Sequence, residues 1–194
     1  MDRRYVGIDP STKTGFVVVD GDGEVWEAEE IAREGRDPDR LISLIDAITA
    51  LVLPGDIVCI EDFAYAKGHR MALLGGIGWG IRTILRRRGI QYHEVATGQL
   101  KNFAGAKGNC GKEDLIIPIY DLWGFRNGSD NVRDAFILAQ ICRSLYEPGK
   151  LYKYQQDVLT KIKTRGSETT CKKPSQPRSK PSAATRRKPR SSSR

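Results

Sequence analysis

Three acidic residues occupy positions where a carboxylate is costly unless something compensates it. Asp9 directly follows the apolar run Tyr5 to Ile8, and Glu61 directly follows Ile57 to Ile60. Each therefore projects from the carboxyl end of a strand, the edge at which open α/β sheets place their sites. Neighbouring strands lie about 4.8 Å apart, and two carboxylates at that separation repel unless one is protonated or a cation lies between them. The third, Asp134, shares a helix face with Ile137, Leu138 and Ile141. A carboxylate among apolar neighbours needs a compensating charge. Magnesium supplies it through oxygen ligands, and two such ions about 3.5 to 4 Å apart suit water activation and leaving-group stabilisation in phosphodiester cleavage. The expected cofactor is Mg2+, two ions per site, with Mn2+ as a substitute. Asp130 and Asn131 compete for the fourth position near the metals. Taken singly, each acid has a plainer reading: Asp9 before Pro10 as a turn residue, Glu61 as a solvated strand end, Asp130 as a helix N-cap. Three carboxylates converging on one sheet edge outweigh those readings.

The elements that must position these acids follow from periodicity. Tyr5 to Ile8 and Phe16 to Val19 are β-rich runs joined by Asp9-Pro-Ser-Thr-Lys-Thr-Gly15, which reads as a hairpin, and a third strand is expected at Val25 to Ala28. Leu41, Leu44, Ile45, Ile48, Leu51 and Val52 recur at helical spacing before Pro54-Gly55. Ile57 to Ile60 reads as a central buried strand. A helical pattern then runs from His69 to Arg88, with Gly75, Gly76, Gly78 and Gly80 in it, followed by a strand at Gln91 to Val95. Helices are expected around Gly98 to Phe103, Lys112 to Trp123 and Asn131 to Leu145. This order is that of an α/β, ribonuclease H-like fold, a five-stranded mixed sheet with flanking helices. Right-handed crossovers place its first and fourth strands side by side at the centre.

Composition narrows the class. The chain has 194 residues, 39% hydrophobic and 29% charged, the profile of one medium-sized core. No stretch approaches the roughly 18 apolar residues of a membrane span, and Met1 to Pro10 lacks a secretory apolar centre, so a cytoplasmic location is expected. Cys59, Cys110, Cys142 and Cys171 form no CxxC pair, and Cys59 and Cys142 read as reduced core thiols. The net charge of +8 is uneven: residues 160–194 hold 12 Lys or Arg against one acid, Glu168, whereas residues 1–159 hold 20 against 23. The chain divides accordingly into a nuclease-like domain, 1–159, and a basic tail, 160–194. From about Gly166 the tail lacks the large apolar residues that offset ordering entropy, and it reads as disordered: a phosphate-binding arm or a solubilising extension.

These residues resemble the RuvC family of Holliday junction resolvases over about Tyr5 to Leu145. The carriers are Gly7-Ile-Asp-Pro-Ser-Thr-Lys-Thr-Gly15, Ile60-Glu61 after an apolar strand, Asp134-Ala135 on a late helix, and Val95-Ala-Thr-Gly-Gln-Leu-Lys-Asn-Phe-Ala-Gly-Ala-Lys-Gly-Asn-Cys-Gly-Lys112 between them. The resemblance implies a homodimeric, magnesium-dependent endonuclease that nicks opposing strands of a four-way junction. It implies Asp9, Glu61, Asp134 and, in phage-type relatives with an Asp-Asn pair, Asp130 as metal ligands. Lys101 and Lys112 are then expected near the scissile phosphate, Lys13 and Lys107 on DNA, and Phe63 or Tyr65 stacked on junction bases. Ser11 departs from the family's usual glycine, and Asn131 from its usual Asp or His. Dimerisation is expected through residues 68–88, where Met71, Leu74, Ile77, Trp79 and Ile81 exceed one sheet-facing stripe.

Other functions fit some of the same residues. A ribonuclease H-like enzyme could cut RNA, flaps or forks instead. The Asp9 to Gly15 hairpin also resembles the phosphate loop of actin-like sugar kinases, which need a second such domain. A noncatalytic DNA-binding module would have to tolerate three carboxylates that repel phosphate.

Overall fold

The computed structural model describes residues 3–63, 69–111 and 113–171, with side chains at 3–63, 71–111 and 113–165. Strands β1 (Tyr5–Asp9), β2 (Lys13–Val19) and β3 (Val25–Ala32) form an antiparallel meander. Helix α1 (Asp39–Leu51) leads to β4 (Ile57–Glu61), then α2 (His69–Arg87) and β5 (Tyr92–Val95). Helices α3 (Thr97–Phe103), α4 (Ile116–Trp123), α5 (Asp130–Tyr146) and α6 (Lys153–Cys171) follow. The sheet order is β3-β2-β1-β4-β5, with β1 and β4 parallel at its centre. This is the α/β, ribonuclease H-like arrangement expected from the sequence.

Alternation along the strands divides the core into two layers. Val6, Ile8, Val58 and Ile60 pack with Leu44, Ile48, Ile77 and Ile81 of α1 and α2. Tyr5, Val17, Val19 and Cys59 pack on the opposite face with Ala135, Leu138, Ala139 and Cys142 of α5. Helix α5 is buried along most of its length because it lies between the sheet and the layer of α3, α4 and α6. Cys59 and Cys142 are buried and unbridged; Cys142 Sγ donates to the Ile57 carbonyl at 3.1 Å, and burial pushes its thiol well above the ordinary range.

Three elements differ from their expected extents. The third strand runs four residues further, to Ala32, because an edge strand leaves both of its faces open enough to accommodate Glu27, Glu29 and Glu30. The expected helix from Lys112 is a 3₁₀ turn, Glu113–Leu115, followed by α4, with Lys112 outside the described residues. Pro118, in the first turn of α4, has no N–H to continue an earlier α-helical ladder. Helix α6 spans the boundary drawn at 159/160, and Val158, Leu159 and Ile162 are buried on one side of it. Gln155 completes that face, donating through Nε2 to the Phe103 carbonyl at 3.1 Å. Among the described residues no helix is long and apolar enough to cross a membrane.

Candidate active site

Sheet register brings Asp9 and Glu61 to neighbouring positions. Gly7 is opposite Cys59 and Ile8 opposite Ile60, so Asp9 and Glu61 continue the same parallel ladder at its carboxyl end. Tyr5, Gly7 and Asp9 share a face, and that face is covered by α5. A Cβ on Gly7 would lie 1.9 Å from the Ala135 carbonyl oxygen and 2.5 Å from the Ala139 amide nitrogen. Cys59 packs in the same layer, so Glu61, two residues on, belongs to that face too.

The first turns of α5 lie over Asp9. Gly15 pairs with Asp9 across the hairpin, and a Cβ there would lie 1.9 Å from the Asn131 carbonyl oxygen. Asp134, three residues beyond Asn131, is 8% exposed and Asp9 is 6% exposed. Asp9 and the half-buried Glu61 therefore end neighbouring strands, and the first turns of α5, which carry Asp134, pack on the same end of the sheet. The donors of these acids are all hard oxygens, a set that fits a divalent cation such as magnesium.

As positioned, the set is open. Among the described residues no three His, Cys, Asp or Glu side chains come close enough to enclose a metal ion. Glu61 Oε1 accepts a hydrogen bond from the Thr97 hydroxyl at the start of α3, at 2.6 Å.

The fourth position is shaped by capping. The Ser129 side chain accepts from the Val132 amide and is the N-cap of α5, so Asp130 is the first helical residue and does not serve as the cap. Asn131 donates through Nδ2 to Glu30 Oε2 at 3.2 Å, and the Ser129 hydroxyl also donates to that carboxylate. The Ser129 bond, ahead of the other influences, holds the Glu30 carboxyl below its usual range. Glu30 also lies 3.8 Å from Lys13 Nζ.

Behind Glu61 lies a guanidinium that sequence reasoning missed. Arg82 is 2% exposed, donates through Nη2 to the Glu61 carbonyl at 2.8 Å and through Nε to Glu94 at 2.7 Å, and stacks 4.2 Å from the Phe63 ring centroid. Arg165 of α6 joins it by bonding Asp62 at 2.8 Å and approaching Glu94 at 3.7 Å. The strand end carrying Glu61 is thus tied to α2, β5 and the C-terminal helix. Phe63 also packs on Trp79 at 5.1 Å, and both rings line a cavity of about 510 Å³ that includes Glu61, Arg82 and Arg165.

The basic residues are dispersed. Lys13 and Lys107 are exposed, whereas Lys101 donates through Nζ to the Cys110 carbonyl and braces the 104–111 loop. Tyr65 and Lys112 lie outside the described residues.

No family model and no curated protein matches the sequence. Two solved structures are similar to it. "Thermus thermophilus RuvC structure" matches with a TM-score of 0.56 and 20% identity, over 69% of this chain and 89% of that one. "T. thermophilus RuvC in complex with Holliday junction substrate" matches with a TM-score of 0.58 and 16% identity, over 71% and 90%. The chain has a RuvC-like fold. At 16–20% identity the likeness is one of backbone architecture.

Proposed function

We propose that this protein is a magnesium-dependent endodeoxyribonuclease that acts on branched DNA, with the four-way junction as its principal substrate. The observation that supports the reading is the adjacency of Asp9 and Glu61 at the carboxyl end of the central parallel strands, with the Asp134-bearing first turns of α5 packed on Gly7 and Gly15, in a RuvC-like fold. Asp9, Glu61 and Asp134 are the proposed ligands. Asp130 is the proposed fourth, because it lies one turn before Asp134 and Ser129 performs the capping, while Asn131 is engaged by Glu30. Two magnesium ions would offset these charges and polarise the phosphodiester for attack by water.

The chain's own residues orient the site. Arg82 fixes the Glu61 main chain, and Thr97 orients the Glu61 side chain. Phe63, backed by Trp79, offers an aromatic surface for unpaired bases. Lys13, Lys101, Lys107 and Lys112 are the proposed phosphate contacts, with Tyr65 a second aromatic. A panel of labelled four-way junctions, forks, flaps, linear duplexes and RNA–DNA hybrids tests substrate class. Junctions should be cut fastest, and faster cleavage of hybrids or flaps would reassign the enzyme.

The proposed homodimer uses the outer face of α2. Gly78 and Gly80 are occupied within the chain, since a Cβ on them would meet Phe63 at 2.7 Å and Ile45 at 2.4 Å. Gly76 is exposed, and Met71 and Trp79 are 53% and 62% exposed. Light scattering should give the dimer mass at micromolar concentration, and Gly76→Glu should give a folded monomer because a twofold interface receives each new charge twice. A wild-type monomer, with or without junction DNA, contradicts this assembly.

Residues 172–194 contain nine Lys or Arg and no acid. We expect truncation after Cys171, which spares α6, to weaken duplex binding and to reduce the salt slope by roughly 0.9 for each phosphate that the tail neutralises. Cleavage chemistry should persist. An unchanged slope in a binding titration would show that the tail neutralises no phosphates.

A further inference from the structure

A second concavity, also about 510 Å³, lies between α4 and the loop leading into α5. Its wall is mostly apolar: Ile117 is 70% exposed, Ile116 41% and Tyr120 45%, and Phe125 stacks behind them on Phe136 at 4.0 Å. Isolated exposed apolar residues are ordinary, but three on one short helix beside a cavity mark a contact surface.

Two guanidinium groups enter the same space. Arg126 lies 4.0 Å over the Tyr120 ring, and Arg133 is 5% exposed and lines the cavity. Arg133 Nη1 donates to the Asn127 carbonyl at 2.9 Å and the Gly128 carbonyl at 3.2 Å. Among the described residues its Nε and Nη2 have no protein acceptor, and no fully buried side-chain nitrogen or oxygen lacks a partner. Those N–H groups therefore keep some solvent exposure, on a residue that lines the cavity. Among the described residues neither guanidinium has a carboxylate within 4.0 Å. A nearly buried cation without a counter-ion is costly, and an incoming carboxylate would form a charge-assisted, bidentate pair with it.

We propose that this groove binds an extended segment of a partner protein that carries a carboxylate beside a bulky apolar side chain. The apolar side chain fills the space among Ile117, Tyr120 and Phe125, and the carboxylate meets Arg126 and Arg133. Charge argues against the chain's own C-terminal region as the occupant, since residues 160–194 hold 12 Lys or Arg and one acid. A DNA backbone is disfavoured because it is neutralised by open basic surfaces, whereas concave apolar lining with a few polar anchors suits a side-chain ligand.

Selection of random heptapeptides on the immobilised full-length protein, followed by fluorescence anisotropy with the recovered peptides, tests the proposal. Recovered sequences should pair Asp, Glu or a free C-terminus with Leu, Ile, Phe or Trp. Ile117→Glu and Arg126→Glu, both at exposed positions, should each weaken binding at least tenfold while leaving the thermal melt and nuclease activity unchanged. Failure to recover peptides, recovery of peptides without a carboxylate, or affinity unaffected by both substitutions would overturn the proposal. So would competitive displacement of the peptide by a 20-base-pair duplex, which would assign the groove to DNA.

Discussion

Asp9→Asn, Glu61→Gln and Asp134→Asn are each expected to reduce junction cleavage by on the order of 10³-fold or more, while junction affinity changes little. Loss of groups that merely orient metal ligands costs roughly 10–100-fold, and loss of a ligand should cost more. A thousandfold loss corresponds to about 4 kcal/mol of transition-state stabilisation. Binding should persist because phosphate contacts on other elements position the DNA. Asp130→Asn should be milder, because Asp130 is only partly buried at the first turn of α5, where water can take the place of its carboxylate. Thermal melts provide a second readout: magnesium should raise the wild-type melting temperature by binding the folded state, and the three variants should lose most of that increment. Full activity of Asp134→Asn would remove that residue from the site.

Gly7→Ala and Gly15→Ala are expected to destabilise the fold by about 3 kcal/mol or more each, the upper range for overpacking. At both positions the added methyl would lie 1.9 Å from a backbone carbonyl oxygen of α5, and a helix main chain cannot rotate aside as a side chain can. Relief requires α5 to lift from the sheet, carrying Asp134 with it. For a domain of this size the loss corresponds to a fall in melting temperature of roughly 6–12 °C. Gly21 has nothing within 4 Å of its Cβ position, so Gly21→Ala should lie within about 0.5 kcal/mol of wild type. A Gly7→Ala melt indistinguishable from that of Gly21→Ala would refute the close packing of α5 on β1.

The same glycines show what was readable from sequence. Gly7 and Gly15 flank Asp9 in the stretch that carries the resemblance, but their reason is a contact with a helix more than a hundred residues away. Strand alternation and the abrupt acids after Ile8 and Ile60 were local signals, and so the central pair of strands and their two carboxylates were legible. The buried place of Asp134 on α5 was legible from its apolar helical neighbours.

What was missed depended on tertiary contacts or on polar residues inside apolar patterns. Arg82 interrupts the buried series Ile77, Ile81 and Leu85, and only the fold shows that its charge is met by Glu94 and two carbonyls, one of them that of Glu61. Glu30 lay in a strand expected to end at Ala28, and its tie to Ser129 and Asn131 spans about a hundred residues. Helix α6 presents Gln155, Val158, Leu159 and Ile162 at helical spacing, but a glutamine at its first position and the basic composition beyond it obscured the pattern.

The central claim is that this carboxylate edge performs metal-dependent cleavage of branched DNA. Its most direct test is incubation of the purified wild-type protein with an end-labelled synthetic four-way junction, in magnesium and in EDTA. Paired nicks in opposing strands are expected with magnesium, none in EDTA, and recovery when magnesium is restored. Intact junctions under all three conditions, or cleavage that EDTA leaves unchanged, would contradict the claim.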